Sequence, residues 1–233
     1  MIFYDKNGNI HNFDLNSDNK IGAGRNAKVY RISNDKCLKV MNKDPNNFFS
    51  EDIFEIFKTL SLPSFVRIDT PFYVDGKIKA YTMEYLEQTD KSILDMPIEY
   101  TLDNVNNIYL DLLKLSKYLI NAFDLYHKNV ILDDDKITVI DYDLYYKSKT
   151  EYEALSASIW NLMYTFRRLY EIELEKKGID INNVMIGNMS ISKYLSKYLF
   201  NYGSNNHMEE PAKVLERRLV GIKTPMELFR RKW

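Results

Sequence analysis

Four stretches of this chain carry residue types that can do chemistry together: Gly22 and Gly24 in Ile21-Gly22-Ala23-Gly24, Lys39, the pair Asp124 and Asn129, and Asp141-Tyr142-Asp143. Two glycines in a turn let the backbone approach a phosphate closely and offer it N–H groups. Taken alone, such a pair is more often only a turn. No Gly-Lys-Ser/Thr follows it, and a strand rather than a helix comes next, which excludes a Walker A loop and a dinucleotide fingerprint. In Cys37-Leu38-Lys39-Val40-Met41, alternation puts Leu38 and Val40 on one face and Cys37, Lys39 and Met41 on the other. An ammonium on an apolar face needs a carboxylate. Glu51 or Glu55 on the next helix can supply it, and both read equally well as helix-surface charges, Glu51 suiting the helix N-terminus on dipole grounds alone. Asn129 and Asp141 emerge at strand ends and offer the oxygen ligands that magnesium takes when phosphate oxygens complete its shell. Asp124 can orient or deprotonate a hydroxyl. Singly, Asn129 and Asp141 read equally well as turn residues bonded to nearby backbone.

The elements that must position these residues fall into two groups. MIFY and IHNF flank the turn Asp5-Lys6-Asn7-Gly8-Asn9, a short hairpin. KVYRI and CLKVM are strands around the turn Ser33–Lys36, and Asp44-Pro45-Asn46-Asn47 breaks the second. Ser50 is placed to cap a helix from Glu51 to about Ser61, with Ile53, Phe54, Ile56, Phe57 and Leu60 on its apolar face and Pro63 ending it. Phe65–Ile68 and Pro71–Val74 look like strands, and Asp75-Gly76 turns the chain into Ile78–Glu84. Beyond Leu86–Asp90 the pattern becomes helical: Leu102 to Ala122, Glu153 to about Lys176, Ile191–Leu199, Pro211–Leu219, and a last helix opened by Thr224-Pro225. Two short strands, Val130–Leu132 and Ile137–Ile140, interrupt it. This predicts an α+β chain of two parts, a sheet-rich 1–86 with one main helix and a helical 87–233.

Composition narrows the function classes. Lys plus Arg is 32 and Asp plus Glu is 33, so bulk charge gives no reason to expect a nucleic-acid groove. One cysteine, Cys37, allows no intramolecular disulfide and no CxxC metal site, and fits a reducing, cytoplasmic compartment. The N-terminal segment has no basic stretch followed by an apolar run, and no stretch reaches the length of a membrane span, so neither a leader nor a transmembrane helix is expected. The bias toward Asn, Lys, Ile and Tyr points to an AT-rich genome, which concerns codons and not chemistry.

Taken in order, these pieces resemble the protein-kinase-like superfamily, over about residues 16–170, and more specifically its small divergent bacterial members. The resemblance implies a two-lobed fold with a reduced helical C-lobe. Gly22, Gly24 and Val29 match the glycine-rich loop over the nucleotide phosphates, and Lys39 matches the strand lysine that holds the first two phosphates. Glu51 or Glu55 stands for the helix glutamate that orients that lysine. Met83-Glu84-Tyr85-Leu86 looks like the adenine-binding hinge, which makes Glu84 and Leu86 nucleotide contacts. Asp124 and Asn129 match the catalytic-loop pair, and Asp141 the magnesium aspartate. The implied cofactors are ATP and magnesium, with Asn129 and Asp141 as metal ligands and Asp124, Lys39 and Glu51 as the catalytic set.

The departures are informative. The third loop glycine is Ala27. His-Arg-Asp becomes Ala122-Phe123-Asp124, so the arginine that reads a phosphorylated activation loop is absent. Tyr126 replaces the lysine that helps neutralise the transferred group, with His127 and Lys128 as candidate substitutes. Phe-Gly becomes Tyr142-Asp143, whose extra carboxylate is either a second metal ligand or a repulsive charge. No Ala-Pro-Glu follows, and Ser158-Ile159-Trp160 carries serine where the family has an anchoring aspartate. Counting back from Pro63 puts the usual glutamate position nearer Ile53 than Glu51 or Glu55. The resemblance therefore implies an atypical phosphotransferase acting on a small-molecule or protein hydroxyl. The alternative is a pseudokinase that binds nucleotide or serves as a scaffold. The basic tail Phe229-Arg230-Arg231-Lys232-Trp233, with Arg217 and Arg218, reads as a solvated helix end or as a contact for an acidic protein partner or a membrane surface.

Overall fold

Alternating side chains and well-formed turns build the front of the molecule as one antiparallel sheet. The computed structural model describes residues 1–42, 50–87, 89–133, 135–202 and 209–230, the side chains of Leu228 and Arg230 excepted. The predicted break at Asp44-Pro45-Asn46-Asn47 and the tail residues Arg231-Lys232-Trp233 lie outside the described residues. The strands are β1 (Ile2–Tyr4), β2 (Ile10–Asn12), β3 (Lys20–Ala23), β4 (Ala27–Arg31), β5 (Lys36–Met41), β6 (Ile68–Val74) and β7 (Lys77–Glu84), in the spatial order β2-β1-β6-β7-β5-β4-β3. Asp5 Oδ1 accepts the N–H groups of Asn7 and Asn9 and closes the first hairpin. Asp75 and Gly76, at φ 50° and 74°, turn β6 into β7, where the left-handed conformation suits this pair.

Strand β5 sorts its side chains by alternation. Leu38 packs in a small cluster with Phe3, Phe72 and Ala80, whereas Cys37 and Met41 belong to the main core with Phe54 and Tyr81. Lys39 shares the second face and is only 3% exposed. Helix α1 (Glu51–Thr59) buries Ile53, Phe54 and Phe57. Ser50 precedes it without capping a backbone N–H; its hydroxyl turns to the Asp52 carboxylate, a charge-assisted bond. The two strands expected around Pro71 are one strand, β6, that runs through it. Its register against β7 shifts between Ile68 and Pro71, an irregularity that accommodates a residue with no N–H. Phe65 lies before this strand, in an isolated parallel bridge with Val139.

The back is helical. It comprises α2 (Ile98–Ser116), β8 (Ile120–Asn121), a 3₁₀ turn at His127–Asn129, β9 (Val130–Asp133), β10 (Lys136–Val139), β11 (Tyr146–Lys147) and α3 (Glu151–Lys176). A short hairpin of β12 (Met185–Ile186) and β13 (Met189–Ser190) follows. Then come α4 (Ile191–Tyr194), continued as a π turn at Leu195–Leu199, α5 (Pro211–Arg218) and α6 (Pro225–Arg230). Helix α2 starts and ends earlier than the predicted 102–122, and Leu119 takes a left-handed φ of 64° just beyond its end. Thr150 caps α3 by accepting the Glu153 N–H, while Glu153 reaches back to the Lys149 N–H. Among the described residues, no helix is long and apolar enough to cross a membrane.

Helix α2 is the pillar between front and back. Thr101, Asn104 and Asp111 lie on the same buried stripe as Val105, Ile108, Leu112 and Leu115. Asn104 donates to the Asp135 carbonyl at 2.6 Å and accepts the Ile137 N–H at 2.7 Å, fastening β10. Asp111 accepts the Ser64 N–H at 2.8 Å, and the adjoining segment meets β10 through Val66 N–H to Val139 O and Val139 N–H to Ser64 O. Buried polar groups left without partners cost about 1–3 kcal/mol each. Asn104→Ala therefore lowers unfolding free energy by about 2–3 kcal/mol in a urea titration; a loss below about 0.5 kcal/mol would contradict the pillar role.

Candidate active site

The β9–β10 hairpin brings the predicted metal residues to one place. Its register pairs Val130 with Val139 at the open end, and the Ile140 N–H donates to the Asn129 carbonyl at 2.9 Å one step beyond. Asp141 follows directly. Asn129 Nδ2 donates to both the carbonyl and the Oδ2 of Asp124, each at 2.9 Å, so the five-residue step closes into a compact loop. Helix α3 holds that loop with three side chains. Ser158 Oγ accepts the Ala122 N–H at 2.8 Å, Asn161 donates to the Ala122 carbonyl at 3.0 Å, and Thr165 donates to the Leu125 carbonyl at 2.6 Å. Ser158, where the resemblance expects an aspartate, thus supplies an acceptor to the loop backbone.

Lys39 meets two carboxylates here, Asp141 Oδ1 at 2.7 Å and Asp143 Oδ2 at 2.6 Å. Burial pulls its ammonium down, but Asp143 and Asp141 together outweigh that and hold it above the ordinary lysine range. Asp143 also accepts the Tyr81 hydroxyl at 2.7 Å, and its N–H donates to Asp141 Oδ1 at 3.2 Å. The Asp124 carboxyl is raised first by its own burial and then by the nearby Asp141 charge. Tyr142 is fully buried, stacks on Phe57 at 4.2 Å, and bonds the Val66 carbonyl, which locks the Asp141–Asp143 stretch against α1.

Glu51 is not brought to Lys39. Its carboxylate bonds Lys6 Nζ at 2.8 Å and the Tyr73 hydroxyl at 3.1 Å on the outer side. Asp52, beside it, pairs with Lys147 of β11. The reason is geometric: the buried face of α1 is apolar, with Ile53, Phe54 and Phe57 inward, so its first-turn acids face outward. Glu55 does not take its place either; the lysine's ion pairs are with the two aspartates.

A cleft of about 270 Å³ lies between β3, β4, the end of β7 and the β9–β10 hairpin. Ile21, Gly22, Val29, Met83, Val130 and Ile140 give it apolar walls, and Glu84 and Leu86 border it. Neither Gly22 nor Gly24 has a positive φ, and a Cβ on Gly22 would meet Val29 at 3.6 Å, an ordinary contact. A Cβ on Gly24 would likewise meet the Ala27 carbonyl at 3.8 Å, so neither glycine relieves strain. Gly24 is instead held by its N–H to the Ala27 carbonyl at 2.8 Å and by Asn42 on its own carbonyl. Of the two candidate replacements for the missing loop lysine, His127 is pushed down to about 4 by burial and by Arg168, so it is neutral near pH 7. Lys128 lines the cleft. Tyr126 turns away to stack on Tyr164 of α3.

The donor set fits magnesium held jointly with phosphate oxygens. Among the described residues no three His, Cys, Asp or Glu side chains cluster to cage a metal alone. Magnesium commonly takes one or two protein oxygens and completes its shell with phosphate and water. Asp141 is a third exposed on its side chain, and Asn129, with its amide nitrogen committed to Asp124, keeps its oxygen as the acceptor a cation can use. Tyr81, Asn104 and Asp111 serve the site and its scaffold without belonging to any motif of the sequence, and Asp143 holds Lys39 rather than standing free. The legible signals are the polar residues on the α2 stripe and the carboxylate two positions after Asp141. The basic-helix residues serve internal contacts: Arg217 pairs with Glu209, and Arg218 donates to the carbonyls of Leu199 and Asn201.

Two outcomes follow for the site's scaffold. Ser158→Ala is expected to raise amide hydrogen exchange at Ala122 at least tenfold and to cost about 1–3 kcal/mol of stability, the scale for an orphaned buried donor; unchanged exchange would contradict the anchoring role. Cys37 is buried on β5, and burial pushes its thiol up to about 12. Iodoacetamide at pH 8 should label it in urea and leave it unmodified in the folded protein; equal labelling rates would contradict the burial.

No protein-family model and no curated protein matches the chain. Solved structures do. The PknI kinase domain of Mycobacterium tuberculosis, as a single cysteine-to-alanine mutant, aligns with a TM-score of 0.56 at 17% identity, covering 86% of this chain and 93% of that one. The same domain without that substitution gives 0.56 at 15% identity, over 85% and 94%. A double mutant, with an arginine also changed to alanine, gives 0.53 at 15% identity, over 86% and 93%. At this identity the likeness speaks for architecture: the chain has the two-lobed protein-kinase-like fold, with a sheet-rich front and a helical back.

Proposed function

We propose that the chain is an atypical ATP- and magnesium-dependent phosphotransferase that moves the γ-phosphoryl group of ATP to a hydroxyl acceptor. The observation that carries this reading is the convergence of Lys39, Asp124, Asn129 and Asp141 beside an apolar cleft, on a protein-kinase-like fold. In this reading residues 1–86 form the nucleotide-covering lobe and 87–233 the catalytic lobe.

The roles follow from placement. The apolar walls, Val29 among them, and the border at Glu84 and Leu86 take the base, and the turn that carries Gly22 and Gly24 covers the phosphates. Lys39 holds the α- and β-phosphates as a charge already desolvated by the fold. Asp141 and Asn129 would hold magnesium, which would neutralise charge on the phosphate oxygens. Asp124 orients the acceptor hydroxyl. As the acceptor oxygen bonds the γ-phosphorus, the bond to the β–γ bridging oxygen breaks, ADP leaves, and Asp124 takes the hydroxyl proton. Positioning and charge neutralisation provide the rate, with no covalent intermediate.

The acceptor side favours a small molecule or autophosphorylation. Just after Asp143, Tyr145 is fully buried and β11 pairs back onto β8 at Tyr146↔Asn121. Ser148 then bonds the Leu119 carbonyl and α3 begins at Glu151, leaving little chain for a peptide-docking platform. Tyr126 in place of the loop lysine supports the second reading, a pseudokinase that binds nucleotide without transfer.

Titration calorimetry with ATP, with and without magnesium, tests the nucleotide site. The wild-type protein is expected to bind magnesium-ATP, and Asp141→Ala to weaken that binding at least tenfold. Asp124→Asn is expected to keep ATP affinity within about twofold while phosphate transfer, read as autophosphorylation or acceptor-stimulated ADP release, falls by roughly 10²–10⁴. Binding with no transfer by the wild type would select the pseudokinase reading, and no binding at all would overturn the proposal.

A further inference from the structure

Lys39 and Tyr81 are directly paired across β5 and β7, so their side chains leave the same face of the sheet side by side. Both reach one carboxylate. Asp143 gives Oδ2 to the Lys39 ammonium at 2.6 Å and Oδ1 to the Tyr81 hydroxyl at 2.7 Å. The sheet thus presents an ammonium and a hydroxyl to one carboxylate, an ion pair at Oδ2 and a hydrogen bond at Oδ1. Asp143 is held from the other side as well, because its neighbour Tyr142 is stacked on Phe57 and bonded to the Val66 carbonyl.

The two aspartates next to Lys39 are not equivalent. The Asp143 side chain is 7% exposed with both oxygens engaged, whereas that of Asp141 is 33% exposed. A cation arriving from solvent reaches Asp141. The acids of helix α1 lie elsewhere: Glu51 is committed to Lys6 and Tyr73, Glu55 sits near the same two residues, Asp52 pairs with Lys147, and Ile53 is buried among apolar side chains.

We propose that Asp143 is the positioning residue for Lys39, doing what the family resemblance assigns to a glutamate on the helix, and that this leaves Asp141 to the metal. The inference rests on the nucleotide reading above. It makes the extra carboxylate of Asp141-Tyr142-Asp143 neither a second metal ligand nor a repulsive charge. It also uncouples the lysine from α1: the ammonium is oriented by the segment that carries the proposed metal ligand.

Two measurements test it. The first needs no nucleotide: the side-chain ammonium signal of Lys39 in nitrogen-15 NMR, with its rate of exchange with water. Slow exchange is expected in the wild type and in Glu51→Ala, and at least tenfold faster exchange in Asp143→Asn. Tyr81→Phe, which preserves the packed ring, should accelerate it to a lesser degree and serves if Asp143→Asn fails to fold. Unchanged exchange in both variants, or acceleration in Glu51→Ala, would overturn the pairing. The second is calorimetric. Asp143→Asn should weaken ATP about tenfold with and without magnesium while the half-saturating magnesium concentration stays within twofold, and in a Lys39→Met background it should have no further effect. A tenfold rise in half-saturating magnesium with unchanged metal-free ATP affinity would instead make Asp143 a metal ligand and overturn the proposal. Absence of ATP binding by the wild type would overturn the nucleotide reading and the catalytic half of this inference, while the ammonium exchange would still decide whether Asp143 holds Lys39.

Discussion

A lysine ammonium taken out of water must be paired, and much of this molecule answers to that requirement. Leaving it alone among apolar side chains would cost several kcal/mol, and removing the partner of a buried ion pair costs about 3–5 kcal/mol. Lys39 is placed there by strand alternation, on the face that also buries Cys37 and Met41. Its partners come from a segment more than a hundred positions along the chain, so the back of the molecule has to be fixed against the front. Asp111 and Asn104 on α2, the Ser64–Val66 bonds to Val139, and the Tyr142–Phe57 stack are the fastenings that do so.

The same cluster sets the electrostatics of the cleft. Asp143 balances the Lys39 ammonium, which leaves the carboxylates of Asp141 and Asp124 as the excess negative charge, and burial raises the carboxyls of both Asp143 and Asp124. A bare triphosphate would be repelled by that excess, whereas a divalent cation shared between Asp141, Asn129 and the phosphates offsets it. The replacement of the loop lysine by Tyr126 sharpens the need, since His127 is neutral and Lys128 is the loop cation that borders the cleft. The proposed dependence on magnesium is in this sense a consequence of the charge count.

Much of the architecture is legible in the sequence because it rests on local rules. The Asp75-Gly76 turn, the alternation in β5 and the five-residue step from Asp124 to Asn129 are written in adjacent residues. The limits of α2 differ from the expected ones because Ile98 to Leu102 continues the same apolar stripe, and the pair of strands around Pro71 is one because neighbouring strands tolerate a register shift there. Family likeness assigns the partner of Lys39 to α1, although the apolar face of that helix, Ile53-Phe54-Phe57, already argues that its acids point away. What no local rule reveals is a tertiary match such as the one between Asp143 and the cross-strand pair Lys39 and Tyr81. Ser158 shows the converse: its residue type differs from the one the resemblance expects, yet its position on α3 brings its hydroxyl to the Ala122 N–H.

The most direct test of the account is a crystal structure of the protein with magnesium and a non-hydrolysable ATP analogue. The account predicts the base between Val29 and Val130, magnesium bonded to Asp141 and Asn129, and Lys39 on the α- and β-phosphates with its contact to Asp143 intact. A cleft left empty at saturating analogue, with Lys39 still bridging Asp141 and Asp143, would contradict it, as would a complex in which Lys39 has moved to a carboxylate of α1.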